Sequence, residues 1–168
     1  HTVWLGTGVT DEDAPSDDAD DGVRHTPGEH WTPDATVHLT VTMGNAVRAT
    51  GFLAAWFDWN GDGDFGDVGE LGFQDYVVTG DNSLEITIPS DYITGAPVNA
   101  RFRLYPTGGT PEPTGGVSDG EVEDYAWQFT PSAITLAALT AGPSAPWGGL
   151  ALLGVLVLGF VVWRRRRR

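Results

Sequence analysis

Before residue 132 no segment repeats apolar side chains every three or four positions, whereas several alternate them every second position. A chain without a 3.6-residue apolar stripe has no amphipathic helix to bury, so its core must be built from sheets. Val37, Leu39, Val41 and Met43 alternate with His38, Thr40 and Thr42, a half-buried strand, and Gly44-Asn45 then reads as a turn. Phe52 to Trp59 is apolar on both faces, which predicts a central strand. Further strands are expected over Gln74 to Val78, over Leu84 to Ile88 until Pro89 ends it, and over Val98 to Tyr105, with a turn at Gly80-Asp81-Asn82. The last runs from Val122 to Phe129, with Tyr125, Trp127 and Phe129 on one face and Glu121 and Glu123 continuing that face. Six or so strands with turns between them predict an all-β fold, an antiparallel β-sandwich of Greek-key, immunoglobulin-like layout.

Charge and composition divide the chain around that sandwich. Residues 1–34 form an acidic, Asp/Gly-rich segment of the domain, with seven carboxylates between Asp11 and Asp21. In isolation such a run is a solvated linker, unless some of its acids donate to a metal site shared with later loops. Residues 35–130 hold the sandwich, and 131–146 a linker. From Trp147 to Trp163 there are 17 residues without a charge, about 25 Å as a helix, which reads as a single C-terminal transmembrane helix. Arg164 to Arg168 follow and are expected on the cytoplasmic side, leaving the acidic domain outside the cell. The first residue is His1 rather than Met, so the N-terminus reads as truncated or processed.

There is no Lys, and residues 1–163 carry four Arg against 23 acids, a charge of −19. That field repels nucleic acid and attracts cations. Cysteine is absent, so disulfides and thiolate metal sites are both excluded, and the domain must be held by its core, by metal, or by both.

Two acidic stretches carry candidate chemistry. In the first, Asp58, Asn60, Asp62 and Asp64 alternate along a glycine-rich turn that ends at Glu70. Counting Asp58 as position one places Asn60 and Asp62 at three and five and Gly63 at six, as in an EF-hand loop. Position twelve is Gly69, however, and a strand precedes the loop. The stretch is therefore a cation-binding turn on a β scaffold, for a hard cation such as Ca²⁺, or else a hydrated hairpin that uses Asp, Asn and Gly for their turn geometry. In the second, Asp119, Glu121, Glu123 and Asp124 stand at the start of a strand that must be buried. They need compensation, either by a metal or by cross-strand ion pairs to Arg101 and Arg103.

Gly120-Glu121-Val122-Glu123-Asp124 reproduces the motif for which the bacterial GEVED domain is named, and the chain resembles that family across residues 4–129. The other shared elements are Leu5 to Asp13, Ala55 to Phe65 and Ala100 to Leu104. The resemblance implies a β-rich extracellular module, since such domains occur in secreted or surface-anchored proteins beside adhesion-like modules. The tail resembles bacterial C-terminal sorting signals of the PEP-CTERM and IPTL-CTERM type, with Pro143 to Gly148 standing where the short motif lies.

These readings predict a surface-anchored, calcium-stabilised module for adhesion or matrix attachment, with polysaccharide or a cell-surface protein as partner. The first alternative is a carbohydrate-binding module or glycoside hydrolase accessory domain, with Trp31, Trp56, Trp59 and Tyr105 as stacking platforms. The second is a passive spacer. Catalysis is not expected: no Ser–His–Asp grouping suggests itself, and His25, His30 and His38 fit no H-E-x-x-H zinc spacing.

Overall fold

The computed structural model describes residues 1–8, 20–45 and 47–129. The expected transmembrane helix, the linker before it and most of the acidic run lie outside these residues. Those described contain eight strands and no helix: β1 (Val3–Leu5), β2 (Val23–His25), β3 (Thr36–Asn45), β4 (Thr50–Asp58), β5 (Leu71–Val78), β6 (Gly80–Thr87), β7 (Val98–Tyr105) and β8 (Glu121–Trp127). All pairings are antiparallel. One sheet is ordered β5-β4-β7-β8. In the other, β3 pairs with β6 along one edge, while β1 and β2 lie end to end along its opposite edge.

The alternation read from the sequence sets the inner face of the second sheet. Val37, Leu39, Val41 and Met43 of β3 and Leu84 and Ile86 of β6 are buried. They pack with Leu53, Ala55 and Phe57 of β4 and Ala100, Phe102 and Leu104 of β7 in one apolar core between the sheets. The chain crosses between sheets from β3 to β4, from β5 to β6 and from β6 to β7.

Two expected turns are strand instead. Gly44 lies within β3 opposite Trp4, and a Cβ there would stand 2.0 Å from Trp4 Nε1, so this glycine admits an indole rather than a bend. Asp81 and Asn82 belong to β6, and the sheet-to-sheet corner falls at Thr79-Gly80, where Gly80 has φ of 95°. Asn82 holds that corner by accepting from Val78 N at 2.9 Å and donating to Val78 O at 2.8 Å.

β1 and β2 were not legible as strands. Together they make one broken edge strand that hands over at Thr42: Gly6 N donates to Thr42 O at 2.9 Å, and Thr42 N donates to Gly22 O at 2.8 Å. Beside that hand-over Thr7 and Asp21 are tied together, with Thr7 N and Thr7 Oγ1 donating to the Asp21 carboxylate at 3.0 and 2.7 Å.

The outer face of the four-stranded sheet is covered as well. Ala54, Trp56 and Arg103 share that face by register, yet all are buried. The Pro106–Ser118 loop lies over it, held by Arg101 donating to Pro113 O at 3.0 Å, Arg103 to Gly115 O at 2.6 Å and Gly108 N to Tyr76 Oη at 3.3 Å.

Candidate metal centre

β4 delivers Asp58 to the edge of the sandwich, and the loop from there to Glu70 is built by its own side chains. Asp58 Oδ1 accepts from Gly61 N at 2.7 Å and Asp62 N at 3.2 Å, and Oδ2 accepts from Gly63 N at 3.2 Å and Asn99 Nδ2 at 3.3 Å. Each following member of the alternation then caps the amide two residues on. Asn60 Oδ1 accepts from Asp62 N, Asp62 Oδ1 from Asp64 N and Asp64 Oδ1 from Gly66 N, at 2.9, 3.1 and 2.8 Å. Period-two placement of Asp and Asn thus winds the loop as successive Asx turns, and Gly61 and Gly63 supply the positive φ it needs.

That winding brings three carboxylates together. Asp58, Asp62 and Glu70 each offer an oxygen, and the three lie within 4.8 Å of one another, with Asp58 and Glu70 buried and Asp62 exposed. Asn60 is tied to them through Nδ2, which donates to Asp62 Oδ2 at 3.0 Å and Asp67 Oδ2 at 2.6 Å. Asp67, absent from the residues singled out by sequence, also donates its N–H to Glu70 Oε2 at 3.0 Å. Its signal was the Asp67-Val68-Gly69-Glu70 turn, in which Glu70 N donates to Asp67 O.

Glu70 is the telling member. It is only 2% exposed, and its Oε1 is buried without a hydrogen-bond partner. Burial raises its pKa above the ordinary carboxylate value, and the charges of Asp58, Asp67 and Asp62 raise it further against the Asp67 amide bond. A buried carboxylate oxygen aimed among other carboxylates is unfavourable unless a proton or a cation sits with it. The donors are carboxylates and an amide with no Cys or His, a set that fits a hard cation such as Ca²⁺. A turn held by Asx hydrogen bonds alone accounts for Asp58, whose oxygens are both engaged, but leaves Glu70 Oε1 unexplained.

The second acidic stretch goes elsewhere. Asp124 stands opposite Arg101 across β7 and β8 and takes its guanidinium with both oxygens, at 2.7 Å to Nε and 2.5 Å to Nη2. Glu121 and Glu123 stand opposite Leu104 and Phe102 on the inner face, whereas Arg101 and Arg103 stand opposite Asp124 and Val122. The two glutamates turn into the sandwich toward the broken edge strand. Leu5 N donates to Glu121 Oε2, Gly22 N to Glu123 Oε1 at 3.1 Å, and Tyr125 Oη to Glu123 Oε2 at 3.0 Å. Tyr125 Oη in turn accepts from Val23 N at 2.9 Å. Asp119 is exposed, with φ of 63°, and accepts from Thr2 Oγ1 at 3.0 Å. Of the nine residues proposed to ligate metal, Asp58, Asp62 and Glu70 converge, Asn60 is bonded into their loop, and Asp64 caps the next turn. Asp119, Glu121, Glu123 and Asp124 do not join them.

The aromatic platforms are also relocated. Trp31, Trp56 and Trp59 are each no more than 5% exposed, so none offers an open stacking face. Trp31 and Trp59 belong to the core, with the Trp31 ring 6.2 Å from that of Trp59 and the Trp59 ring stacked on Phe57 at 4.9 Å, while Trp56 is buried on the outer face of its sheet.

No curated protein and no solved structure matches the chain. The stretch from Phe52 in β4, through the acidic loop and the Arg101–Asp124 pair, to the residue after β8 is identified by family comparison: residues 52–128 match the GEVED domain family.

Proposed function

We propose that this is an extracellular module, immunoglobulin-like in layout, ordered by Ca²⁺ and displayed on a cell surface in adhesion or matrix attachment. Polysaccharide or a cell-surface protein is its partner, and the apolar segment of residues 147–163 with the Arg run after it is its membrane anchor. The observation that carries the calcium assignment is the convergence of Asp58, Asp62 and Glu70 around a buried, unpartnered Glu70 oxygen. Asp58, Asp62, Glu70 and the Asn60 carbonyl would hold the ion, which neutralises the loop and ties the end of β4 to the start of β5. In a chain without cysteine that tie takes the place of a crosslink.

The test is a thermal melt of the full chain with calcium and with a chelator. Extracellular calcium modules have Kd of about 10⁻⁴–10⁻³ M, so about 10 mM Ca²⁺ stabilises the fold by roughly 1.4–2.7 kcal/mol. For a domain of this size that is a rise of about 5–11 °C in Tm. Asp62→Asn keeps the carbonyl that accepts from Asp64 N and removes the charge, and it should abolish most of that rise. Superimposable melts with calcium and chelator would reject the assignment.

A further inference from the structure

One corner of the sandwich concentrates unmet hydrogen-bonding capacity. Trp59 Nε1, Glu70 Oε1 and Tyr92 Oη are all buried and without partners. The Tyr92 ring stands edge-on to Trp59 at 5.5 Å, and Trp59 and Glu70 both line a surface hollow of about 280 Å³. Buried polar groups are nearly always satisfied in native proteins, and of these three Glu70 Oε1 is the one whose side chain belongs to both the carboxylate cluster and the hollow. A cation beside Glu70 answers that acceptor, and the hollow lies next to it.

The walls narrow the choice. Asp67 and Asp91 line the hollow with Glu70, while Val68 and Pro89 give it apolar sides. With Asp58 and Asp62 adjoining, five carboxylates stand against one divalent ion, and the remaining negative field disfavours an anionic ligand. The volume lies at the lower end for small-molecule sites and suits a single sugar ring. Calcium takes six to eight oxygens, more than the converged side chains supply, so positions remain for ligand oxygens.

We propose that this hollow is a subsite for one neutral sugar unit of a polysaccharide. Adjacent hydroxyls of that unit complete the calcium shell of Asp58, Asp62 and Glu70, and its other hydroxyls donate to Asp67 and Asp91. The inference rests on the calcium assignment above, because Glu70 belongs to both the ion site and the hollow. Its ligand differs from the stacked saccharide expected from sequence, since no exposed indole takes part.

The experiment uses the full chain in a sugar-free detergent. Calcium binding is measured by calorimetry, and saturation transfer is recorded to the methyl glycosides of mannose, galactose and glucose and to galacturonate, in millimolar Ca²⁺ and in chelator. The expected result is transfer to at least one neutral glycoside in calcium alone, weakened about tenfold or more by Asp91→Asn while calcium affinity is unchanged. Calcium binding with no transfer to any glycoside overturns this inference and leaves the ion site standing. No calcium binding overturns both. Transfer that persists in chelator, or tighter binding of galacturonate than of the neutral sugars, also overturns it.

Discussion

Replacing Glu123 by Gln should remove a pH dependence that the wild-type fold carries in an unusual direction. Glu123 is fully buried and accepts from Gly22 N and Tyr125 Oη. Burial lifts its pKa from 4.5 to about 8, helped by Glu121 and Asp20, and the two hydrogen bonds offset only part of the rise. Between those values the folded chain holds a proton that the unfolded chain releases, so stability falls as pH rises. The contribution is complete below about pH 4.5 and is lost by the time pH passes about 8. At about 1.4 kcal/mol per pH unit, the gap between 4.5 and about 8 amounts to roughly 5 kcal/mol. That is a large part of the 5–15 kcal/mol typical of a domain. Gln keeps an oxygen for Gly22 N and cannot ionise. Urea unfolding at about pH 5, 7 and 9 should show wild type losing roughly 2–3 kcal/mol relative to Glu123→Gln over the first interval, with a smaller further loss over the second. Relief of the general −14 charge at low pH acts on both proteins alike, so the difference isolates this carboxyl. A wild-type minus variant difference that stays flat with pH would refute the reasoning.

Breaking the Arg101–Asp124 pair from either side leaves a partly buried charge and, in Arg101→Ala, also frees Pro113 O. Each single variant should lose about 1–3 kcal/mol, with a coupling near 1–2 kcal/mol in a double-mutant cycle, and Arg101→Ala should expose the 106–118 loop to proteolysis. Gly120→Ala should cost about 3 kcal/mol or more in urea unfolding, because its Cβ would lie 1.9 Å from the Leu104 carbonyl oxygen, which is backbone in a paired strand. Calcium affinity should fall as pH is lowered through the raised pKa of Glu70, at higher pH than an ordinary carboxylate site loses its ion, and calorimetric titrations across the acid range would show it.

The two β strands with clean alternation, β3 and β6, were legible because one face is core and the other solvent, and β7 matched its expected bounds. β1 and β2 were not, since three residues are too few to show a period, and what makes them strands is the unbroken edge of β3 beside them. Period two correctly placed Glu121 and Glu123 on the face of Tyr125. It could not say which residues of β7 they oppose, because register is a property of the pair rather than of either strand. Observed register sets Asp124 against Arg101 and turns both glutamates toward Phe102 and Leu104. The tryptophans misled for a related reason. Trp56 does point outward from β4, as a binding platform would, but the 106–118 loop lies over that face, and a loop rich in Gly, Pro and Thr gives no sign of what it covers.

The same spacing of acids does opposite work in the two motifs, and the backbone decides which. In the turn after β4, residues two apart cap successive amides and bring Asp62 back toward Asp58 and Glu70, so negative charge converges at the edge of the sandwich, as the proposed cation site requires. In β8, residues two apart share a face, so Glu121 and Glu123 both enter the sandwich and accept the N–H groups of Leu5 and Gly22, where the edge strand is interrupted. Side-chain carboxylates there satisfy backbone donors at a break in the sheet. Both of those donors lie outside residues 52–128, the stretch that matches the family. The acids of the motif therefore have their partners upstream, and the residues around Leu5 and Gly22 belong to the same folding unit as the motif. Gly22 fits that role because a Cβ would meet Leu5 Cβ at 2.5 Å and Glu123 Oε2 at 2.7 Å. The motif and the glycine are two halves of one joint.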